Sequence, residues 1–376
     1  MYTINWGDLT VEEFLSDYWQ QKPLLIRNAF PNFEPVITSD ELAGLSLEQE
    51  VESRLIQFKP DRSEYQLDCG PLNEETFANL PESDWTLLVQ AVDHYSPEAK
   101  ALLNAFNFIP NWRIDDLMIS YATPGGGVGP HYDNYDVFLI QAEGTRRWEL
   151  GGIESSQSPR LADAPVMILS EFKSQESFDL EPGDMLYLPP QVAHNGVATS
   201  EDCVTYSAGF RAPSDAEILR TVSDHIGESL TSEERFSDAK RSVCLSPGEI
   251  DQASIDQITK RLTELLTNRD QLETALGSLF SEPKYPDQAE SLDPEGYQDW
   301  IQDAEEFGIE IAPNNRLLYL EGEQFKLFCN GELLTIDESE KALAKQLADQ
   351  GYLLVEGINV ESSALLKHLY VCGVVQ

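Results

Sequence analysis

The chain has 376 residues, 66 acidic and 25 basic, for a formal net charge of -41, and 41% of it is hydrophobic. That hydrophobic share supports packed cores and excludes a disordered chain, and the length favours two or three domains. The charge excludes a surface that grips phosphate backbones or anionic lipid. It suits a basic partner protein and equally serves solubility in a salty or cold habitat.

The five cysteines, Cys69, Cys203, Cys244, Cys329 and Cys372, include no CxxC pair. Neither a disulfide framework nor a zinc site is expected, and reduced thiols in a cytoplasmic protein fit. The opening MYTINWGDLTVEEF is acidic and lacks an apolar signal core. No stretch approaches the roughly 18 consecutive apolar residues of a membrane span.

In chain order, Thr10 to Gln21 reads as a short helix with Phe14, Leu15, Tyr18 and Trp19 on one face, opened by a Thr10–Glu13 capping box. Pro23 to Arg27 is a buried-strand run. A strand is expected at Arg54–Gln57 and a helix near Trp85–Tyr95. From Arg113 to Arg211 short strand-like runs alternate with Gly/Pro turns: DDLMISYA, PGGGVGP, HYDNYDVFLIQ, EGTRRWEL, SFDLEPGDMLYLPP and CVTYSAGF. This texture predicts a double-stranded β-helix, a jelly roll.

After Pro213 the apolar residues recur at helical spacing, with a stripe of Ile255, Ile258, Leu262, Leu265 and Leu266. Such a stripe is internal core or a subunit interface. From Asn315 a small α/β unit follows, with an Asn330-Gly331 turn, a helix at Glu338–Asp349 and a strand at Tyr352–Glu356; it reads as winged-helix-like. The fold class is therefore mixed α/β: a mainly β catalytic domain over 1–212, a helical dimerisation region over 213–285 and a small winged-helix-like domain over 286–376.

Five histidines exist, and two have telling contexts. In Gly129-Pro130-His131-Tyr132-Asp133, residues two apart on a strand share a face, so His131 and Asp133 would enter the barrel together. His194 ends the run PGDMLYLPPQVAH, and a barrel can return that strand beside the first. Two imidazoles and one carboxylate make the facial triad of non-haem iron(II) oxygenases. Three protein ligands leave room for a 2-oxo acid and dioxygen. A 2-oxo diacid needs a cation at its far end. Arg146 and Arg147 are adjacent on the next predicted strand, so only one can point inward, and Arg147 reads as the surface one.

These residues carry a resemblance. His131-x-Asp133, Arg146 and His194 are similar to the JmjC-type, cupin-like 2-oxoglutarate oxygenases. The longer strings WQQKPLLIRNA, RIDDLMISYATPGGGVGPHYDNYDVFLIQ, GTRRWEL, PGDMLYLPP and YSAGFRAPS resemble, over the whole chain, the bacterial ribosomal oxygenases that hydroxylate an arginine of a large-subunit ribosomal protein. The resemblance implies that His131, Asp133 and His194 bind Fe(II), that Arg146 holds the distal carboxylate of 2-oxoglutarate, and that Ser207 is a second contact there, unless it is an ordinary strand serine. It also implies the cosubstrates 2-oxoglutarate and O2, the products succinate and carbon dioxide, hydroxylation at the arginine β-carbon, and a homodimer.

A guanidinium substrate needs anionic or aromatic partners, and Asp116, Tyr121 and Tyr135 are placed around the barrel mouth. Tyr135 shares strand parity with His131 and Asp133. Asp116 either pairs with the arginine or caps a turn. The run Gly125-Gly126-Gly127 either lets a peptide backbone approach or orders on binding. Three readings compete: a hydroxylase or demethylase of another side chain, a non-catalytic cupin-like binding module, and an acidic mimic of nucleic acid.

Overall fold

Strand pairing dominates the N-terminal part of the computed structural model, which describes residues 2–58, 64–162, 164–288, 291–355 and 358–376. The chain divides into two compact units, Met1–Ala212 and Pro213–Gln376. No helix among the described residues is long and apolar enough to cross a membrane.

The first unit runs α1 (Val11–Asp17), β1 (Leu24–Ile26), α2 (Ser39–Leu45), β2 (Ser53–Phe58), β3 (Tyr65–Cys69), α3 (Glu74–Ala78), β4 (Trp85–Val89), α4 (Pro97–Leu103), β5 (Ile114–Ala122), β6 (Val137–Glu143), β7 (Arg146–Ile153), β8 (Glu176–Leu180), β9 (Met185–Leu188), β10 (Val192–Ala198) and β11 (Cys203–Phe210). The Thr10–Glu13 capping box forms and opens α1. Two antiparallel sheets result, an eight-stranded one ordered β1-β9-β6-β11-β5-β4-β2-β3 and a three-stranded one ordered β10-β7-β8.

Strand parity sorts the side chains into layers. On the large sheet, Leu117 and Ile119 of β5, Phe138 and Ile140 of β6, and Val204, Tyr206, Ala208 and Phe210 of β11 face a core closed by Phe14, Leu42 and Leu102 of the helices. Aromatic rings fill its centre, with Phe138 lying 4.8 Å from Phe106 and 4.9 Å from Tyr187 between centroids. The alternate residues face the small sheet: Val137, Leu139, Leu186 and Leu188 meet Trp148, Leu150, Leu180 and Val192 in a separate core. The space between the sheets is the lumen of the jelly roll. Because both faces of the large sheet are covered, every residue of β11 and all but the last of β6 are buried, with β11 turning Thr205 and Ser207 to the lumen and Val204, Tyr206, Ala208 and Phe210 to the core.

The expected helix near Trp85–Tyr95 is instead β4 followed by a single 3-10 turn at Val92–His94. Strand β4 is clasped between β5 and β2. A short apolar run carries no periodicity that separates a buried strand from a buried helix, and here the neighbouring strands decide.

The second unit contains α5 (Asp215–Ser229), α6 (Gln252–Leu266), α7 (Arg269–Ser281), α8 (Tyr297–Phe307), β12 (Ile309–Glu310), β13 (Leu317–Glu321), β14 (Phe325–Cys329), β15 (Glu332–Leu334), α9 (Lys341–Gln350), β16 (Tyr352–Leu353) and α10 (Ala364–Val371). Asn330 and Gly331 both take positive φ in the turn joining β14 to β15. Glu356, the end of the strand expected from Tyr352, lies outside the described residues. Helix α7 packs on Val222 and Ile226 of α5 through Ala275. It also packs on β14, where buried Lys326 donates to the Asp270 carbonyl at 2.8 Å and to Thr274 Oγ1 at 3.1 Å. The boundary expected at 285/286 therefore crosses one continuous compact unit.

Candidate metal centre and its surroundings

His131 and His194 are joined through their backbones. The His131 N–H donates to the His194 carbonyl at 3.0 Å, and the reciprocal bond is 2.8 Å. This two-bond bridge places the two rings 4.3 Å apart. Each ring is oriented by the same local device, since His131 Nδ1 donates to the Gly129 carbonyl at 2.8 Å and His194 Nδ1 to the Val192 carbonyl at 2.9 Å. A carbonyl only accepts, so Nδ1 carries the proton and Nε2 presents its lone pair. Burial and the neighbouring His131 pull the His194 pKa down to about 4, which keeps this imidazole in the neutral form that binds metal.

Asp133 completes the group. Its Oδ2 lies 3.6 Å from His194 Nε2, and one ligand atom from each of the three residues falls within 4.8 Å of the others. Metal–ligand bonds of roughly 2.1 Å place neighbouring ligand atoms about 3 Å apart, so the observed spacing is that of a set slightly open around an ion. The expectation that Asp133 sits on a strand is not met, because only an isolated bridge forms at His131 and β6 begins at Val137. Asp133 is positioned instead by its carbonyl, which accepts from the Gln191 N–H at 2.6 Å. Gln191 holds φ at +68° to make this contact.

On β7 the two arginines diverge. Arg147 points outward and grips Asp179 bidentately, at 2.8 and 3.0 Å. Arg146 shares the face of Trp148 and Leu150 and is 4% exposed. Its Nε and Nη2 have no hydrogen-bond partner among the described residues. A buried guanidinium with idle donors can take a carboxylate, since such donors are costly to leave unmade.

A JmjC-domain profile matches residues 101–218, and a ROXA-like winged-helix profile matches residues 264–370. Over 303 residues the chain is 37% identical to the ribosomal protein uL16 3-hydroxylase of Escherichia coli, covering 80% of this chain and 78% of that protein. The chain belongs to the JmjC-domain ribosomal oxygenases. It is also 34% identical to a probable ribosomal oxygenase of Haemophilus influenzae, over 91% of this chain and 86% of that one. Escherichia coli YcfD, a ribosomal oxygenase solved in complex with cobalt and 2-oxoglutarate, has the same fold, with a TM-score of 0.85 at 31% identity over 100% of this chain and 99% of that one. The double-stranded β-helix, helical region and winged helix are thus the architecture of this family, and the chain is a 2-oxoglutarate-dependent dioxygenase.

The remaining residues of this ribosomal oxygenase separate by face. Ser207 is buried on the lumen side of β11, paired in register with Met118 and Leu139. Asp116, paired with Gly209, lies on the same face. Its Oδ2 accepts from Gln90 Nε2 at 2.7 Å and from the Ala91 N–H at 2.9 Å, so it does cap the turn after β4. Tyr135 is 43% exposed and stands beside Asp133. Burial and the Asp133 and Asp116 carboxylates push its pKa up. The expectation for Tyr121 fails. It shares the parity of Leu117 and Ile119, faces away from the lumen, and donates to Asp202 at 2.7 Å.

The glycine run also has a structural explanation. A Cβ on Gly126 would lie 2.0 Å from the Trp85 carbonyl oxygen, and one on Gly127 would lie 2.2 Å from that of Gly196. Backbone therefore packs on backbone here, and the Gly125 N–H donates to the Ala198 carbonyl at 2.9 Å.

Two features escaped the sequence reading. Trp148 neighbours both Arg146 and His194, its ring 5.8 Å from the guanidinium carbon and 5.8 Å from the imidazole ring. Its position two residues beyond Arg146 was the available signal. Asp136, fully buried, accepts from Tyr187 Oη at 2.7 Å, Gln20 Nε2 at 2.9 Å and Arg113 Nη2 at 3.0 Å. Those partners come from three distant segments, so no local pattern announces them.

Proposed function

We propose that this chain uses iron(II), 2-oxoglutarate and dioxygen to hydroxylate the β-carbon of an arginine in a basic large-subunit ribosomal protein. The observation that carries the reading is the pairing, in one lumen, of a three-ligand cluster with a buried guanidinium whose donors are idle. The donor set of two imidazoles and one carboxylate suits iron(II). Bound iron(II) supplies the redox chemistry that couples oxidative decarboxylation of 2-oxoglutarate to hydroxylation of an unactivated carbon.

The chain's own residues do the rest. His131, Asp133 and His194 hold the metal, and the Nδ1–carbonyl bonds keep both imidazoles aimed at it. Arg146 takes the distal carboxylate of 2-oxoglutarate, with Ser207 offering a hydroxyl from the opposing sheet. Asp116 is held rigid by Gln90 and Ala91, and Tyr135 stands beside Asp133; together they receive the substrate guanidinium. The net charge of -41 draws a basic protein toward the site. The uL16 3-hydroxylase activity of the Escherichia coli relative supports this substrate class.

The deciding experiment incubates metal-loaded protein, 2-oxoglutarate and air with peptides from large-subunit ribosomal proteins, followed by mass spectrometry. One arginine gaining a single oxygen atom, with no gain using the Asp133→Ala variant, is the expected result. Consumption of 2-oxoglutarate without any modified peptide would overturn the substrate; no consumption with metal bound would overturn the oxygenase reading.

The same reading makes the protein a cytoplasmic homodimer. Ile255, Ile258 and Leu262 lie exposed along α6, an apolar stripe that a second copy would cover. Sedimentation should report a dimer for the wild type and a monomer for Leu262→Asp; a wild-type monomer would end the proposal.

A further inference from the structure

Arginine 146 is not the only idle donor in the lumen. Strand β7 places Arg146 and Trp148 on one face, because residues two apart in a strand project together. Trp148 is 6% exposed, and its indole Nε1 is buried with no hydrogen-bond partner among the described residues. The Arg146 Nε and Nη2 atoms share that condition. Native structures seldom leave a buried N–H without an acceptor unless a ligand or water supplies one.

The position of the ring narrows the choice of ligand. Its centroid lies 5.8 Å from the Arg146 guanidinium carbon and 5.8 Å from the His194 ring. The indole therefore neighbours both the cation and the ring of a metal ligand. It is held there by close packing, since a Cβ on Gly196, its partner across the ladder, would lie 2.6 Å from the benzo edge. Around it are Val137, Leu139, Leu186 and Leu188, none of which has a side-chain acceptor.

We infer that the Trp148 indole N–H is a further binding donor for the dicarboxylate cosubstrate, beside Arg146 and Ser207, hydrogen-bonded to the carboxylate that Arg146 pairs with. This rests on the 2-oxoglutarate reading of the Arg146 pocket. A guanidinium alone holds a carboxylate by charge and a two-pronged fork. A rigid indole donor beside it adds an acceptor position at a set distance from the metal ligands. The pair thereby selects for chain length: a 2-oxo acid lacking the distal carboxylate meets neither donor.

The test is anaerobic calorimetric titration of manganese-loaded wild type and Trp148→Phe with 2-oxoglutarate and with 2-oxobutanoate. The phenyl ring keeps most of the wall and removes the donor. The expected result is an affinity for 2-oxoglutarate lower by about 10-fold or more, with 2-oxobutanoate binding unchanged. Equal loss for both ligands would make Trp148 a packing residue, and no loss for either would also overturn the inference. If the wild type itself fails to bind 2-oxoglutarate, the pocket reading falls and takes this inference with it. Should the variant not fold, proton–nitrogen spectra of the wild type decide: one of its six tryptophan indole signals should move downfield when 2-oxoglutarate is added, and a set of unmoved signals would overturn the inference.

Discussion

Arg113 Nη2 and Asp136 Oδ2 are 3.0 Å apart, and solvent does not reach the carboxylate. This pair closes the segment that begins at His131, because Asp136 is its last residue before β6. The backbone of Asp136 is tied as well, its carbonyl accepting from the Phe210 N–H at 3.0 Å. A segment without strand pairing of its own is therefore clamped at both ends, by the His131–His194 bridge and by Asp136.

Removing one partner of a buried pair leaves the other charge uncompensated. Asp136→Ala should destabilise the first unit by about 3–5 kcal/mol, read as a lowered denaturant midpoint. A loss below about 1 kcal/mol would show that Arg113 finds another partner without cost.

Asp133 supplies the only carboxylate of the cluster. Asp133→Ala should lower affinity for manganese or cobalt by more than the roughly 10–100-fold that follows loss of an outer partner. Calorimetric titration of the metal-free protein measures it, and retention of wild-type affinity would remove Asp133 from the ligand set.

Arg146→Met keeps much of the side chain's volume and removes its donors and charge. The apparent KM for 2-oxoglutarate should rise about 100-fold, the equivalent of losing one strong charged hydrogen bond or two modest ones. Arg147→Met touches only an exposed ion pair and should leave KM unchanged. Reversal of the two results would exchange their roles.

Burial pushes the Tyr206 pKa up to about 12, and burial with the Asp136 carboxylate pushes Tyr187 up as well. The ordinary tyrosine value is about 10. Above that pH the unfolded chain releases its phenol protons while the folded chain keeps them, so stability falls as pH rises. Tyr206 alone should account for on the order of 3 kcal/mol lost between about pH 10 and pH 12. Denaturant titrations across that window should show a shallower slope for Tyr206→Phe; parallel slopes would refute the assignment.

The glycine run gives a test of packing against flexibility. Gly127→Ala would drive a methyl group into the Gly196 carbonyl and should cost about 1–3 kcal/mol or more. Gly44, in α2, has open space around its missing Cβ, so Gly44→Ala should stabilise by about 0.5–1 kcal/mol. Thermal melts of the two variants should move in opposite directions.

Much of this was legible in one dimension. The distances between His131, Asp133, Arg146 and His194 in the chain, the Gly/Pro turns and the alternation of short strands suffice to expect a jelly roll and to name the residues that meet in its lumen. Parity showed that only one of Arg146 and Arg147 could point inward, because β7 is a regular strand, and the resemblance named Arg146 as that one. At Asp133 the rule brought the right residues together for another reason, since there is no ladder to impose a period of two and the Gln191 N–H holds the backbone instead. Tyr121 was placed by proximity in sequence to the mouth, without counting its parity along β5 from Leu117.

Composition by itself determined the extreme charge, and residue chemistry with local spacing determined the donor types and the Thr10–Glu13 capping box, because these depend on residues within a few positions. Tertiary structure decided which side chains converge. Whether Trp85–Val89 became strand or helix depended on β2 and β5. The anchoring of Asp136 depended on Gln20, Arg113 and Tyr187, and the idle donors of Arg146 and Trp148 exist because a second sheet seals them from water. Such contacts join residues far apart along the chain, and only the closed fold establishes where each buried polar group finds its partner.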